Sequence, residues 1–541
     1  MPAVRSFHQD AAGAARVSDS TAEPAERTAD EAELLLLRGE CSEAQPRAVP
    51  ALRWCSAAAV LVVVAVVCFA VGPASRHGLR QERARMTQAY EQVQNASQAL
   101  SLMGLGGVSL GGWLCLEDWF FSMGKGRLVS SAHEQGQGYA LPPRIPSMSS
   151  PWTSEGLLTR QLINEHGQAY AIQAISEYRT HFITPEDLQE IVNAGLRTVR
   201  LPITWAAFAD ALGPLDQAVY ASHNADLDII TVPDPFYKDN ASLVTIPRKL
   251  LTDFLHEARA HGLSVILDVH AYPGGASHGT YNGVWPLKCT FWTEKSRIGS
   301  TSLTQIGLWI VEKMVHWIEN LDLEAQGAIA GVTLMNEPGH MNRWKQFAPD
   351  QAILSWLGEA SARFLSSRLP VGLKLYVSLV ETAFQDFGGL AVPWYQQAFT
   401  LEERRTRVVA DVHYYMAWNH GNCDGRSDGL GAYSCGAAPA KYAGVLNSCA
   451  AGFARSSYFR WGSQGGLVSV SEFSLGTADA IDVACKEPTL LWTMLGEQLA
   501  AFRKYYFESV IWTWKMPYAP DFEPGWSLQW LLHQSQRLDR T

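Results

Sequence analysis

Basic side chains are the scarcer sign in this chain: 43 Lys and Arg stand against 53 Asp and Glu over 541 residues, a net charge of -10. That balance argues against a general binder of phosphate backbones, which needs a basic face, so no nucleic-acid partner is expected. No Gly-x-Ser-x-Gly elbow, phosphate loop, HExxH or paired Cys-x-x-Cys occurs. Gly104-Leu105-Gly106 is too short a glycine signal for a nucleotide site. No metal and no organic cofactor is implied. Charged residues are also few, at 18%, below the ~25% of an average chain, which excludes a solvated disordered polymer.

Long apolar runs are confined to one place. Residues 54–75 carry no charge, and 57–71 are almost entirely Ala, Val, Leu, Cys and Phe. About 20 apolar residues at ~1.5 Å each cross a ~30 Å hydrocarbon core. A cleaved signal peptide is the alternative, but such peptides start within the first few residues. The expected plan is a disordered cytoplasmic tail at 1–53, a transmembrane signal anchor at 54–75, a polar stem at 76–100 and a large folded part at 101–541. Orientation draws opposing votes. Arg76, Arg80, Arg83 and Arg85 follow the span, against Arg47 and Arg53 before it, which by the positive-inside rule places the folded part in the cytoplasm. Six cysteines after the span, Cys115, Cys289, Cys423, Cys435, Cys449 and Cys485, are compatible with three disulfides in an oxidising compartment. Asn95 and Asn240 sit in N-x-Ser sequons, usable only in the lumen. We expect a single-pass type II protein with its folded part extracellular or lumenal.

From about residue 101 short apolar runs alternate with amphipathic stretches. Thr184-Pro185-Glu186-Asp187 opens a helix: a cap, a proline in the first turn, acids at the positive end of the dipole. Gly195 stops it, and 196–202 reads as a strand. The unit recurs as helix 247–260 and strand 263–269, helix 302–321 and strand 328–335, helix 352–367 and strand 374–379. A shorter helical stretch at 394–403 precedes strand 407–412, 441–456 precedes 467–471, and 489–506 precedes 508–514. With 108–114 as the opening strand, about eight strands alternate with helices. That implies parallel strands with right-handed crossovers. The expected fold is an α/β (β/α)8 TIM barrel with enlarged loops, and an open doubly wound sheet is the alternative. Residues 127–160 and 419–465 are the expected enlarged loops.

A barrel does its chemistry at the carboxyl ends of its strands. Asn336-Glu337-Pro338 ends the fourth strand and Ser471-Glu472-Phe473 the seventh. Two carboxylates at one rim are what glycoside hydrolysis needs: one protonates the leaving oxygen, the other attacks or activates water from the opposite face. Arg200, His270, His413, Tyr415 and Trp512 end neighbouring strands. Arg200 and Tyr415 suit a nucleophilic carboxylate by hydrogen bonding. The two imidazoles suit sugar hydroxyls or proton affinity. Trp512 suits a sugar floor. With 19 Trp in the chain, a Trp-rich core is the equal alternative.

These residues fall in ordered segments: Leu110-Gly111-Gly112-Trp113-Leu114-Cys115-Leu116-Glu117, Arg197-Thr198-Val199-Arg200-Leu201-Pro202, Leu267-Asp268-Val269-His270 with Pro273-Gly274, Asn336-Glu337-Pro338, His413-Tyr414-Tyr415, Ser471-Glu472-Phe473 and Trp512-Thr513-Trp514-Lys515. The chain thereby resembles glycoside hydrolase family 5, most of all its exo-1,3-β-glucanase (glucan 1,3-β-glucosidase) branch, across roughly 104–530. The resemblance implies a retaining mechanism on a β-glucan or other β-glucoside, with Glu337 as acid/base and Glu472 as nucleophile. It implies that Asn336 holds the 2-hydroxyl, that Glu117 binds hydroxyls of the terminal glucose, and that Trp512 is the stacking platform. Endo-glucanase, glycolipid β-glucosidase and transglycosylase are alternatives on the same barrel. A binding protein without catalysis is the alternative of another class. Retention requires carboxyl groups about 5–5.5 Å apart, and Glu337 is expected to have the higher pKa of the two. One departure stands out. Where the branch has Phe-Asp-Asn, this chain has Gly279-Thr280-Tyr281-Asn282-Gly283, so a pocket-closing acid is missing. Trp418 is the expected aromatic gate, with Tyr281 or Trp285 opposite. Cys449 with Cys485 is the expected disulfide.

Overall fold

The computed structural model describes residues 96–121, 152–416, 439–476, 486–517 and 523–538. The tail, the anchor, Asn95, Trp418 and Cys485 lie outside them. Among the described residues no helix is long and apolar enough to cross a membrane.

Eight parallel strands close into a barrel. In chain order they are β1 (Gly107–Ser109), β2 (Thr198–Thr204), β5 (Ser264–Ala271), β6 (Ile329–Thr333), β7 (Lys374–Ser378), β8 (Val408–Tyr414), β9 (Leu467–Phe473) and β10 (Glu508–Ile511); between β2 and β5 lies a small antiparallel hairpin, β3 (Thr231–Pro233) with β4 (Ser242–Val244). β1 closes the ring by pairing with both β2 and β10, Gly107 lying level with Thr198 and with Val510. Glycine is required there: a Cβ on Gly107 would sit 2.5 Å from the Thr198 carbonyl oxygen.

Helices follow the strands as the amphipathic stretches imply, including Pro185–Asn193, Arg248–Ala260, Leu303–Glu319, Asp350–Leu365, Pro439–Ser457 and Pro488–Lys504. The first is stapled at its start, where the Thr184 N–H donates to Asp187 Oδ2 at 2.9 Å. Asp187 also accepts from Trp514 Nε1 at 2.9 Å and from Lys515 Nζ at 2.6 Å, so one carboxylate ties that helix to the segment after the last strand. Helix Glu155–His166 begins inside the expected 127–160 loop, and helix Gln168–Phe182 follows it where no element is expected. Helix Ala96–Met103 crosses residue 100, because Ala99 and Leu100 are buried.

The barrel interior is layered. Every second residue of a strand faces the same way, and Ile266, Tyr376, Val409 and Val510 form a small apolar cluster of their own. Below it Glu508 pairs with Lys374 and accepts from the Tyr376 hydroxyl. Two residues further along the same strands come Asp268, Ser378, Asp411 and Trp512. The apolar plug therefore gives way to a polar layer at the carboxyl ends.

Candidate active site

Arg200 on β2 is fully buried and faces three partners: Glu472 Oε1 at 2.5 Å, Asn336 Oδ1 at 2.8 Å and Asp268 Oδ2 at 2.9 Å. Burial alone would lower its pKa, but Asp268 and Glu472 outweigh it and hold the guanidinium firmly charged. Burial likewise pushes the Asp268 carboxyl up, and Arg200 and His270 bring it below the ordinary range.

Glu472 owes its direction to a bulge. The β8–β9 register runs Val412↔Val470 and then His413↔Glu472, so Ser471 is an extra residue. Strand alternation would put Glu472 on the face of Val470. The bulge re-aims it toward the barrel mouth, and Ser471 Oγ is pinned to Asp411 Oδ2 at 2.7 Å. The Tyr415 hydroxyl donates to Glu472 Oε2 at 2.6 Å. Burial, then the Glu472 charge, raise that phenol well above its usual range, so it stays a donor.

Glu337 lies beyond the end of β6 and not directly on it. Its backbone is left-handed, φ 41°, a conformation that costs a non-glycine residue roughly 1–2 kcal/mol. The surroundings impose it: the Glu337 N–H donates to Ser378 Oγ at 3.2 Å, and its carbonyl accepts from Ser277 Oγ at 2.6 Å. The carboxylate is held on both oxygens, Oε1 2.7 Å from His413 Nδ1 and Oε2 accepting from the Tyr281 hydroxyl at 2.7 Å. His340 Nδ1 is 3.7 Å from Oε2.

A raised proton affinity, expected for Glu337, is not what its surroundings give. Burial pushes the Glu337 carboxyl up, but His340, His413 and Tyr281 outweigh it and hold it well below the carboxylate range. His413 moves the other way. Burial would lower it, yet Glu472, Asp411 and Glu337 lift it to about 10. Its Nδ1 is also 3.4 Å from Glu472 Oε2. The proton shared by this pair thus rests on His413.

Glu117 belongs to the same cluster. Its Oε2 accepts from Trp119 Nε1 and from Thr280 Oγ1, both at 2.9 Å. Burial raises it to about 7, against the opposing charge of His270. The segment carrying it is braced by a buried pair, Arg179 on Glu155 at 2.8 Å, with the Leu116 N–H donating to Glu155 Oε2 at 2.8 Å. Trp512 is 3% exposed and lies face to face with His270, 5.5 Å between centroids at 7°. One face of the expected platform is therefore occupied by His270, whose Nδ1 rests on Asp268.

Two further expectations are corrected. Tyr281 is not a gate at the rim, because its hydroxyl bonds Glu337 inside the site. Three disulfides are excluded, since Cys115 and Cys289 are buried free thiols. Cys449 is disulfide-bonded, and its expected partner Cys485 is outside the described residues. Asp268, His340, Asp411, Thr280 and the Glu155–Arg179 pair were not singled out from the sequence. Asp268 and Asp411 each had a signal, two residues before a histidine in Asp-Val-His, and Thr280 lies in the quoted 279–283 stretch.

One oxygen or nitrogen each of Glu337, His413 and Glu472 lie within 4.8 Å of one another. A cation would accept that spacing, but Arg200, Tyr415 and Tyr281 already occupy the carboxylates. The arrangement suits two carboxyl groups working on one reacting centre.

No protein-family model matches the chain. It has a glycoside hydrolase family 5-like (β/α)8 barrel, and distant relatives named glucan 1,3-β-glucosidase match about 31% of it. The "Probable glucan 1,3-beta-glucosidase A" of Emericella nidulans is 31% identical over 169 residues, 31% of this chain and 29% of that relative. The "Glucan 1,3-beta-glucosidase 2" of Saccharomyces cerevisiae is 24% identical over 233 residues, 43% of this chain and 35% of that relative. The match thus spans little more than a third of the relatives' own length at most. Among solved structures, rutinosidase from Aspergillus niger covers 80% of this chain and 97% of its own at TM-score 0.50 and 14% identity, a likeness of fold.

Proposed function

We propose that this chain is a retaining glycoside hydrolase acting on β-glucan, releasing glucose from chain ends as a glucan 1,3-β-glucosidase. The observation that carries the proposal is the Glu337–His413–Glu472 cluster at the barrel mouth, its ligand atoms within 4.8 Å of one another. In this reading Glu472, ionised beside Arg200, attacks the anomeric carbon while Glu337 protonates the departing glycosidic oxygen. As Glu472 becomes an ester its charge vanishes. His413 thereby loses the partner that lifts its pKa most, and in that same step its proton passes through Glu337 to the departing oxygen, leaving Glu337 ionised and His413 neutral. In the second step Glu337 takes a proton from water, the oxygen attacks the glycosyl ester, and Glu472 leaves as carboxylate. Asn336, its carbonyl held by Arg200, offers its amide nitrogen to the 2-hydroxyl. Glu117 accepts from glucose hydroxyls.

The test is product analysis on a β-1,3-glucan oligosaccharide with the full chain and its Glu472→Ala variant. Glucose from chain ends, lost in the variant by orders of magnitude in rate, supports the proposal. Internal fragments would move the assignment to an endo-enzyme, and no cleavage would reject it. We also propose that the barrel is lumenal or extracellular, anchored through 54–75. This is supported by the polymeric substrate and the Asn240 sequon, and Asn240 is exposed. Protease digestion of sealed vesicles with the cytoplasmic face outward tests it. Digestion of the barrel without permeabilisation would reverse the orientation.

A further inference from the structure

Two carboxylates of the site are gripped by adjacent residues of one short turn. Thr280 Oγ1 donates to Glu117 Oε2, and the next residue, Tyr281, donates to Glu337 Oε2 at 2.7 Å. The turn is itself pinned. Asn282 Nδ2 donates to the Ser277 carbonyl at 2.6 Å, and Asn282 Oδ1 accepts from the Val284 N–H at 2.8 Å. A Cβ on Gly279 would lie 2.4 Å from the Tyr281 ring. The ring is buried and meets His270 edge-on at 5.4 Å between centroids. The hydroxyl cannot swing away without moving the whole turn.

We propose that Tyr281 is a positioning residue for Glu337, and that the Thr280–Tyr281 turn links the acid/base to the sugar-binding side of the pocket at Glu117. This rests on the function proposed above and deepens it. With His413 on Oε1 and Tyr281 on Oε2, the carboxylate has a donor at each oxygen and cannot rotate freely. Each oxygen retains a second lone pair that can carry the proton to the glycosidic oxygen, in an orientation the two donors fix. A donor on a carboxylate also favours the ionised form. The titratable groups facing Glu337 are His413 from β8, His340 from its own turn and Tyr281 from the 279–283 turn, with Glu472 from β9 and Tyr415 beyond His413. Removing the Tyr281 hydroxyl leaves the other four in place and raises the proton affinity of the Glu337 pair.

The experiment compares full-length parent and Tyr281→Phe on two glucosides. One has a sugar leaving group that must be protonated. The other has a nitrophenolate leaving group that need not be. The expected result is at least a tenfold loss of kcat/KM on the first, less than a threefold change on the second, and an alkaline limb of the pH profile displaced to higher pH. Equal losses on both substrates, or an unmoved limb, would overturn the inference. Thr280→Val is expected to raise KM and leave the limb in place; a limb moved as in Tyr281→Phe would overturn the assignment to Tyr281. Should the Phe variant not fold, Tyr281→Gln retains a donor and should keep the parent limb, and a displaced limb there would count against the proposal. Glu337→Gln separates the two levels. If it still cleaves the sugar-linked substrate, the reading of the site fails. If it does not, while Tyr281→Phe matches the parent, only this inference fails.

Discussion

Arg200 and Glu472 meet at 2.5 Å, 272 residues apart in sequence, and the same guanidinium holds Asp268 at 2.9 Å with both its own and the Asp268 side chains fully enclosed. Lys at position 200 would supply one compact charge where a planar fork now serves Glu472, Asn336 and Asp268. Arg200→Lys should cost at least ~100-fold in kcat through loss of oriented contacts. Arg200→Met takes the fixed cation away from two buried carboxylates and should cost about 3–5 kcal/mol of folding stability. Steady-state kinetics and urea unfolding check the two outcomes.

His413 should leave a mark on stability against pH. Its folded pKa, about 10, lies above the ~6.5 of an unfolded histidine. The stabilisation it brings is complete below pH ~6.5 and is lost as pH rises toward 10. Melting temperature should therefore fall across that window, and His413→Gln should flatten the fall. An equal slope in the variant would contradict the assignment.

Glu117 works in the opposite sense for an acid. Burial raises it to about 7, above the ~4.3 of an exposed glutamate, so folding is favoured at low pH and penalised as pH climbs through 7. Glu117→Gln should melt higher than the parent at pH 8 and lose that advantage at pH 4, while glucoside turnover drops. A variant that melts alike at both pH values would remove the buried charge from the account.

Asp187 is a stability residue away from the chemistry. It is buried and receives the Thr184 N–H, Trp514 Nε1 and Lys515 Nζ. Asp187→Ala loses a helix cap, worth about 1 kcal/mol, and strands a charge and a donor. A total near 3 kcal/mol is expected in chemical denaturation. At temperatures where the variant stays folded, KM should be unchanged.

Local chemistry was written plainly in parts of the sequence. Thr184-Pro185-Glu186-Asp187 starts a helix wherever it occurs, because its cap and dipole partners lie within four residues. Six of the barrel strands fall within two residues of their apolar runs, since a strand covered on both faces must be apolar throughout; β1 and β10 stop at Ser109 and Ile511, short of the 114 and 514 that the runs suggest. The 231–244 hairpin was not visible, because its strands are three residues each. The helix at 155–166 was hidden by weak amphipathic patterning: Glu155 is buried inside it against Arg179, a pairing that composition alone reads as surface.

The sequence by itself determined that strands and helices alternate, that Glu337 and Glu472 stand at the carboxyl ends of two of those strands, and that Arg200, His413 and Tyr415 stand beside them. These are properties of neighbours along the chain. The tertiary structure decided which way Glu472 points, because that depends on an extra residue at Ser471 opposite β8. It decided where the shared proton rests, because His413 and Tyr281 reach Glu337 from two separate segments and, with His340 of its own turn, outweigh its burial. It also decided that Tyr281 faces inward. A side chain's electrostatic surroundings are set by residues scores of positions away, and only the closed barrel brings them within hydrogen-bonding range.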